Sequence, residues 1–183
     1  MKHDYQDLIK LFEQCFYQTY NTRLVKGGGE PLYLPSSEQC SYHQIIFAHG
    51  FFASALHEIS HWCLAGEARR LLEDFGYWYL PDGRNAEQQK RFEQVEIKPQ
   101  AIEWAFCVAS RKAFSVSADN LNGAQADTVQ FKHAVYQQVK VYIQQGFPSR
   151  AQQFIEALAT FYQVTLPLSI EQFIYEKESY ESI

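Results

Sequence analysis

The chain has 183 residues, of which 46% are hydrophobic and 16% aromatic, so it is long and apolar enough to bury a core of its own. Its formal net charge of −5 argues against direct nucleic-acid binding, because such proteins need a basic surface. No basic leader with an apolar run occurs in residues 1–20, and no segment is long enough to span a membrane, so we expect a cytoplasmic protein.

The hydrophobic pattern divides the chain into helical and extended segments. Helical spacing of apolar residues predicts helices over residues 3–20, 51–65, 85–109, 127–145 and 149–163. Extended segments are predicted over residues 32–34, 43–50, 76–84 and 112–120. A glycine-rich loop is expected over residues 25–31, and the tail after Leu166 is acidic and weakly patterned. We therefore expect an α+β fold, a single mainly helical domain over residues 1–183 with a small sheet.

The four cysteines, at positions 15, 40, 63 and 107, form no C-x-x-C pair. Cys63 and Cys107 have apolar neighbours in the sequence, so we expect both to be buried free thiols in a reducing compartment.

The stretch ALHEISHWC contains the pattern H-E-x-x-H, formed by His57, Glu58 and His61. In a helix each residue turns by about 100°, so the two histidines lie about 40° apart on one face and can reach the same ion. Leu56 and Ile59 belong to an apolar stripe on nearly the opposite side. A largely buried helix needs a reason for polar side chains, and a bound metal supplies one.

A third metal ligand is expected on another element, and the predicted helix nearby offers three glutamates. Its predicted apolar stripe consists of Phe92, Val95, Pro99, Ile102 and Phe106. Glu93 points away from this stripe, whereas Glu96 and Glu103 lie at its edge and can face a cleft. We select Glu96 because it precedes Pro99, where a helix can be aimed at a site.

Other interpretations stay open at this point. Asp74 and His49 are weaker candidates for the third ligand, and His49 can instead support the ligands from beside the helix start. Pattern alone leaves Glu96 equally compatible with a solvated charge on the helix surface.

Two histidines and one carboxylate serve two kinds of chemistry. With zinc, Glu58 would act as the general base of a metallopeptidase, for which HExxH is the usual signature. With iron(II), the same three ligands leave positions open for dioxygen and substrate. Glu58 would then either hydrogen-bond to a metal ligand or relay a proton. A purely structural zinc site is least favoured, because it usually has four protein ligands and the nearby Cys63 lies on the opposite helix face.

Longer segments resemble the bacterial elongation factor P hydroxylase family. They are TRLVKGGGEPLYLP (22–35), IIFAHGFFASALHEISHWCLAGEARR (45–70), DFGYWYLPDGR (74–84) and FEQVEIKPQA (92–101). The resemblance implies an HExxH metalloprotease-like fold and an oxygenase that hydroxylates the β-lysylated lysine of elongation factor P. It implies His57, His61 and Glu96 as ligands of a divalent metal, Fe(II), with Glu58 as a catalytic residue and dioxygen as co-substrate. It does not identify the reductant.

A β-lysylated lysine is long and cationic, so its binding channel needs aromatic walls and acidic groups. The segment EDFGYWYLPDGR offers Asp74, Tyr77, Trp78 and Asp82 for such a channel. The alternative is an aromatic strand packed on the core, with a turn at Asp82 and Gly83.

Overall fold

The computed structural model describes residues 2–77, 82–118 and 128–175. The helices are α1 (Tyr5–Tyr20), α2 (Phe52–Leu64), α3 (Ala86–Ala109), α4 (Thr128–Gln145) and α5 (Ser149–Tyr162). The strands are β1 (Thr22–Lys26), β2 (Leu32–Leu34) and β3 (His43–Phe47). The predicted class, mainly helical α+β with a small sheet, is confirmed. None of the helices in these ranges combines the length and the apolar character that crossing a bilayer requires.

The sheet has the strand order β1-β3-β2. The central strand β3 pairs in parallel with β1 and antiparallel with β2, and Ile45 lies opposite both Leu24 and Tyr33. These three side chains are buried, so they form one core-facing row across the sheet. The sequence pattern did not predict β1. The glycine-rich loop begins only after Lys26, because Lys26 still pairs with Phe47 of β3.

The first helix anchors α2 through aromatic packing. Asp4 caps α1 by accepting a hydrogen bond from the backbone amide of Gln6. Phe12 and Phe16 are fully buried one turn apart, and their ring centroids lie 5.1 and 4.9 Å from that of Trp62 in α2. Burial of an aromatic side chain of this size contributes about 2–3 kcal/mol to stability. α1 thereby fixes the flank of α2 that carries Trp62.

Two arginines fix the C-terminal end of α2. Arg150 of α5 donates hydrogen bonds to the carbonyl groups of Cys63 and Ala65, at 3.2 and 2.5 Å. Arg70 donates a further hydrogen bond to the Ala65 carbonyl at 2.8 Å. The last carbonyls of a helix lack intrahelical partners and carry partial negative charge, so cationic donors stabilise them. The helix with the histidine pair is therefore held at its end by other elements.

The long helix α3 lies at the centre of the fold and contacts α2, α4 and α5. Pro99 lies inside α3 without ending it, and residues 99–107 are all buried, because other elements surround the helix there. The predicted apolar stripe is wrong at Val95, which is 45% exposed, while the neighbouring Glu96 is 1% exposed. The buried face of α3 before Pro99 is therefore polar.

The strand predicted over residues 112–120 is wrong for its described part, which forms no β-ladder. Residues 112–118 do show the alternating burial of an extended chain. Their backbone partners are side chains of α3: Gln100 bonds both backbone polar groups of Ser117, and Gln89 donates to the carbonyl of Ala118. Side-chain amides thus satisfy backbone groups that would otherwise need a neighbouring strand.

Candidate metal centre

The helix α2 presents His57 and His61 on one face, one turn apart, as the motif predicted. Their Nε2 atoms lie 3.1 Å from each other, and their ring centroids lie 4.7 Å apart. The side chains retain exposed fractions of 25% and 16%, so the site is sheltered but reachable from solvent. The Nε2 atoms of both imidazoles thus point to one place, which is the arrangement that binding of a shared cation requires.

The third donor comes from Glu96 of α3. Its Oε1 lies 3.2 Å from His61 Nε2 and its Oε2 lies 3.6 Å from His57 Nε2. One donor atom from each of the three residues lies within 4.8 Å of the others. Within the described ranges, Oε1 of this buried carboxylate accepts no hydrogen bond. A buried acceptor without a donor is costly unless a cation completes it.

These distances fit a metal ion. Bonds of about 2.1 Å separate neighbouring ligand atoms by about 3.0 Å at right angles and about 3.4 Å in a tetrahedron. The two Nε2 atoms are 3.1 Å apart, and Oε1 and Oε2 of Glu96 lie 3.2 and 3.6 Å from His61 and His57 respectively, so the separations are close to those that either geometry requires. Two imidazoles and one carboxylate suit zinc and iron(II) alike. The donor set is therefore compatible with either chemistry that the sequence left open.

Glu103 supports the first histidine. Glu103 lies about one helical turn after Pro99, and its Oε2 accepts a hydrogen bond from Nδ1 of His57 at 2.8 Å. With the proton on Nδ1, the lone pair of Nε2 faces His61 and Glu96. The sequence pattern had placed Glu103 at the edge of the helix stripe but gave no reason to pair it with His57. Only the packing of α3 against α2 reveals that contact.

Carboxylates make this site electrically negative. Burial alone would lower the pKa of His57, but the carboxylates of Glu103, Glu96 and Glu58 outweigh it and raise that pKa to about 10. Burial raises the pKa of Glu58, against the opposing effect of the two histidines. Burial also acts to raise the pKa of Glu96, but the histidines and the amide of Gln100 outweigh it and lower it to about 2. A field that favours a protonated imidazole also favours a bound metal cation.

A cleft of about 650 Å³ opens beside His61. Its walls come from the end of α2, the turns that follow it and the exposed side of α3. The lining includes Leu64, Glu67, Phe75, Tyr77, Val95, Lys98 and Pro99. Ligand pockets in proteins commonly measure about 300–1,000 Å³, so the volume suits a side chain or small ligand. Because His61 lines the cleft, a bound group can reach the donor set.

The predicted channel residues have different surroundings in the structure, and of those described Tyr77 is the one that lines the cleft. Tyr77 lines the cleft, with the guanidinium of Arg69 4.2 Å from its ring centroid. Asp74 accepts a hydrogen bond from the backbone amide of Tyr33 at 2.8 Å, which ties the turn after α2 to the edge strand β2. Asp82 accepts a hydrogen bond from the following amide at 2.7 Å. Trp78 lies outside the described residues.

His49 lies in the turn between β3 and α2. It is exposed, has a positive φ of 50°, and its ring packs 5.7 Å from that of Phe51. The hydrogen-bond partner of His57 Nδ1 is Glu103. The backbone amide of Phe51 donates to the carbonyl of Ala48 at 2.9 Å, so His49 lies inside a tight turn.

Comparison with known proteins decides the family. A family model described as elongation factor P hydroxylase matches residues 11–173. The chain belongs to this family. A curated relative from Haemophilus influenzae, named elongation factor P lysine hydroxylase, is 53% identical over 173 residues, which cover 94% of this chain and 97% of the relative. The resemblance seen in the sequence is therefore confirmed, and the match favours a hydroxylase over a metallopeptidase.

Proposed function

We propose that this chain is a metal-dependent oxygenase that hydroxylates the β-lysylated lysine of elongation factor P in the cytoplasm. The observation that carries the proposal is the convergence of His57, His61 and Glu96 at a cleft, in a chain of this family. The buried apolar side chains of the described elements form one cluster, which supports a single catalytic domain over residues 1–183.

The donor set would hold a divalent metal, which we propose to be Fe(II). Iron(II) bound by two histidines and one carboxylate supplies open coordination positions for dioxygen and substrate. Glu103 would keep His57 in the tautomer that presents Nε2 to the metal. Glu58 is half-buried and its pKa is raised by burial, so its carboxyl group can take up or release a proton beside the ligands. The reductant is not assigned.

The cleft beside His61 would receive the modified lysine. Phe75 and Tyr77 give it aromatic walls, and the glutamates around the donor set make its inner end negative. A long side chain with a cationic end is attracted by both features. Asp82 and Trp78 follow Tyr77 closely in the chain, and we retain both, with Asp74, as proposed contributors to substrate binding.

Mass spectrometry of the substrate protein tests the function directly. β-Lysylated elongation factor P is incubated with this chain, iron(II), a reductant and dioxygen, beside an anaerobic sample and a His57→Ala variant. We expect a mass gain of one oxygen atom only with the intact chain and dioxygen. If no gain occurs with any metal or reductant, while the chain binds zinc and cleaves a peptide, the metallopeptidase interpretation replaces this one.

The channel is tested separately by substitution. Tyr77→Ala and Asp82→Asn leave the three metal ligands unchanged, so we expect an unchanged metal affinity and a higher KM for the modified substrate. Gln152→Ala is a suitable control, because Gln152 donates a hydrogen bond to Glu156 on the exposed side of α5. Wild-type KM and kcat in both test variants would exclude the segment from substrate binding.

A further inference from the structure

Gln100 lies one helical turn after Glu96 on α3 and is completely buried. Its Oε1 accepts a hydrogen bond from the backbone amide of Ser117 at 3.0 Å, and its Nε2 donates to the carbonyl of Ser117 at 2.6 Å. The two bonds pair the amide with the backbone of a single residue. Only one orientation of the amide satisfies both, so the positions of its oxygen and nitrogen are fixed.

The fixed amide has a second N–H, and it points at the candidate ligand. Nε2 of Gln100 donates to Oε2 of Glu96 at 3.3 Å. With Oε2 engaged in this way, Oε1 is the oxygen left for His61, 3.2 Å from its Nε2, while Oε2 lies 3.6 Å from Nε2 of His57. The Gln100–Glu96 bond is buried, so water does not compete for it. The rotation of the carboxylate about its last bond is therefore set by Gln100.

We propose that Gln100 is a positioning residue for Glu96. Its amide holds Oε2 and thereby turns Oε1 toward His61, and it couples the donor set to residues 112–118. The inference rests on the proposed metal centre, and it concerns the affinity and geometry of that centre. Residues that orient metal ligands commonly change metal affinity about 10-fold to 100-fold when they are replaced.

The same helix provides a matched control. Gln89 is also buried, donates to the carbonyl of Ala118 at 2.9 Å, and donates to Glu93 at 3.0 Å. It therefore holds the same extended segment to α3 and contacts a carboxylate. Its carboxylate partner is Glu93, which is not among the three clustered donors. Replacing Gln89 loosens the segment and removes the acceptor that Gln89 offers to Arg84 Nε at 2.8 Å, without releasing the candidate ligand.

The test measures Co²⁺ binding by the purified full chain, by calorimetry and by the visible absorption of the bound ion. Gln100→Met removes both donated bonds at similar volume, and Gln100→Asn keeps an amide that is too short to reach Ser117 and Glu96 together. We expect both variants to bind Co²⁺ about 10-fold more weakly with an altered spectrum. Gln89→Met should keep the wild-type affinity and spectrum. Thermal melting shows whether either Gln100 variant is unfolded. If one is, the Co²⁺ affinity of the other, folded variant tests the proposal.

The outcomes separate this inference from the function it rests on. If the wild-type chain binds no Co²⁺, the proposed metal centre is wrong. If it binds Co²⁺ and the Gln100 variants bind it equally well with the same spectrum, the positioning role is overturned. If Gln89→Met weakens binding as much as Gln100→Met, the effect comes from general loosening of the segment, and the specific role is again overturned.

Discussion

Replacing Glu103 by Gln tests how much the negative charge beside His57 contributes to metal affinity. The substitution preserves the size of the side chain but removes its charge. The contact that it changes joins Nδ1 of His57 to Oε2 of Glu103 at 2.8 Å, and the Glu103 side chain is 9% exposed, so solvent screens the pair weakly. Glutamine can still accept the hydrogen bond from Nδ1 but lacks the charge, and changes in residues that orient metal ligands weaken metal binding by about 10-fold to 100-fold. That range corresponds to about 1.4–2.8 kcal/mol.

The assay is a competition titration of Zn²⁺ or Co²⁺ against a chelator of known affinity, followed by the oxygen-transfer measurement on the substrate protein. Glu87→Gln is the control, because it neutralises a carboxylate of the same helix that is 75% exposed and paired with Arg91. Such surface pairs contribute at most about 1 kcal/mol to stability. Equal metal affinity in Glu103→Gln, Glu87→Gln and the wild type would refute the supporting role.

Three other predictions concern Glu58, the end of α2 and the buried thiols. Glu58→Gln should retain bound metal, because Glu58 is not one of the three clustered donors, and should keep part of the oxygen transfer; complete loss of turnover would indicate peptidase-like dependence on this base. Arg150→Met should lower stability by about 2 kcal/mol and the melting temperature by about 4–8 °C, because it removes donated bonds to two carbonyls of α2; an unchanged melting curve would contradict this. Burial raises the pKa of Cys107, so a thiol reagent at pH 8 should label the half-buried Cys40 first and Cys107 only after denaturation; early labelling of Cys107 would show that this packing is wrong.

Local patterns predicted the helices well. The bounds of α1 and α2 agree with the predicted segments to within two residues, since each has an apolar face and a clear start. The motif placed both histidines on one face of α2 because helical geometry alone fixes residues four apart. Cys63 and Cys107 are buried free thiols, as their apolar neighbours indicated.

The errors occurred where several elements surround one helix. An apolar stripe indicates the buried face only when the opposite face is in water, and the second half of α3 has no such face. Val95 lies in the first half, where Gln89 and Glu96 occupy the buried face, so the apolar stripe wrongly places Val95 in the core although it is exposed. The alternation in residues 112–118 correctly indicated an extended chain, but alternation carries no information about which group will bond the backbone.

The sequence by itself determined the family, the helical class, and the histidine pair with Glu58 beside it, because these depend on residue order and on the geometry of one helix. The tertiary structure decided how three glutamates of α3 differ. Glu96 lies beside both histidines, Glu103 accepts a hydrogen bond from Nδ1 of His57, and Glu93 accepts one from Gln89. The packing of α3 against α2 brings Glu96 and Glu103 to the histidines, because those contacts join residues far apart in the chain, whereas Glu93 bonds a residue one turn away on α3 itself.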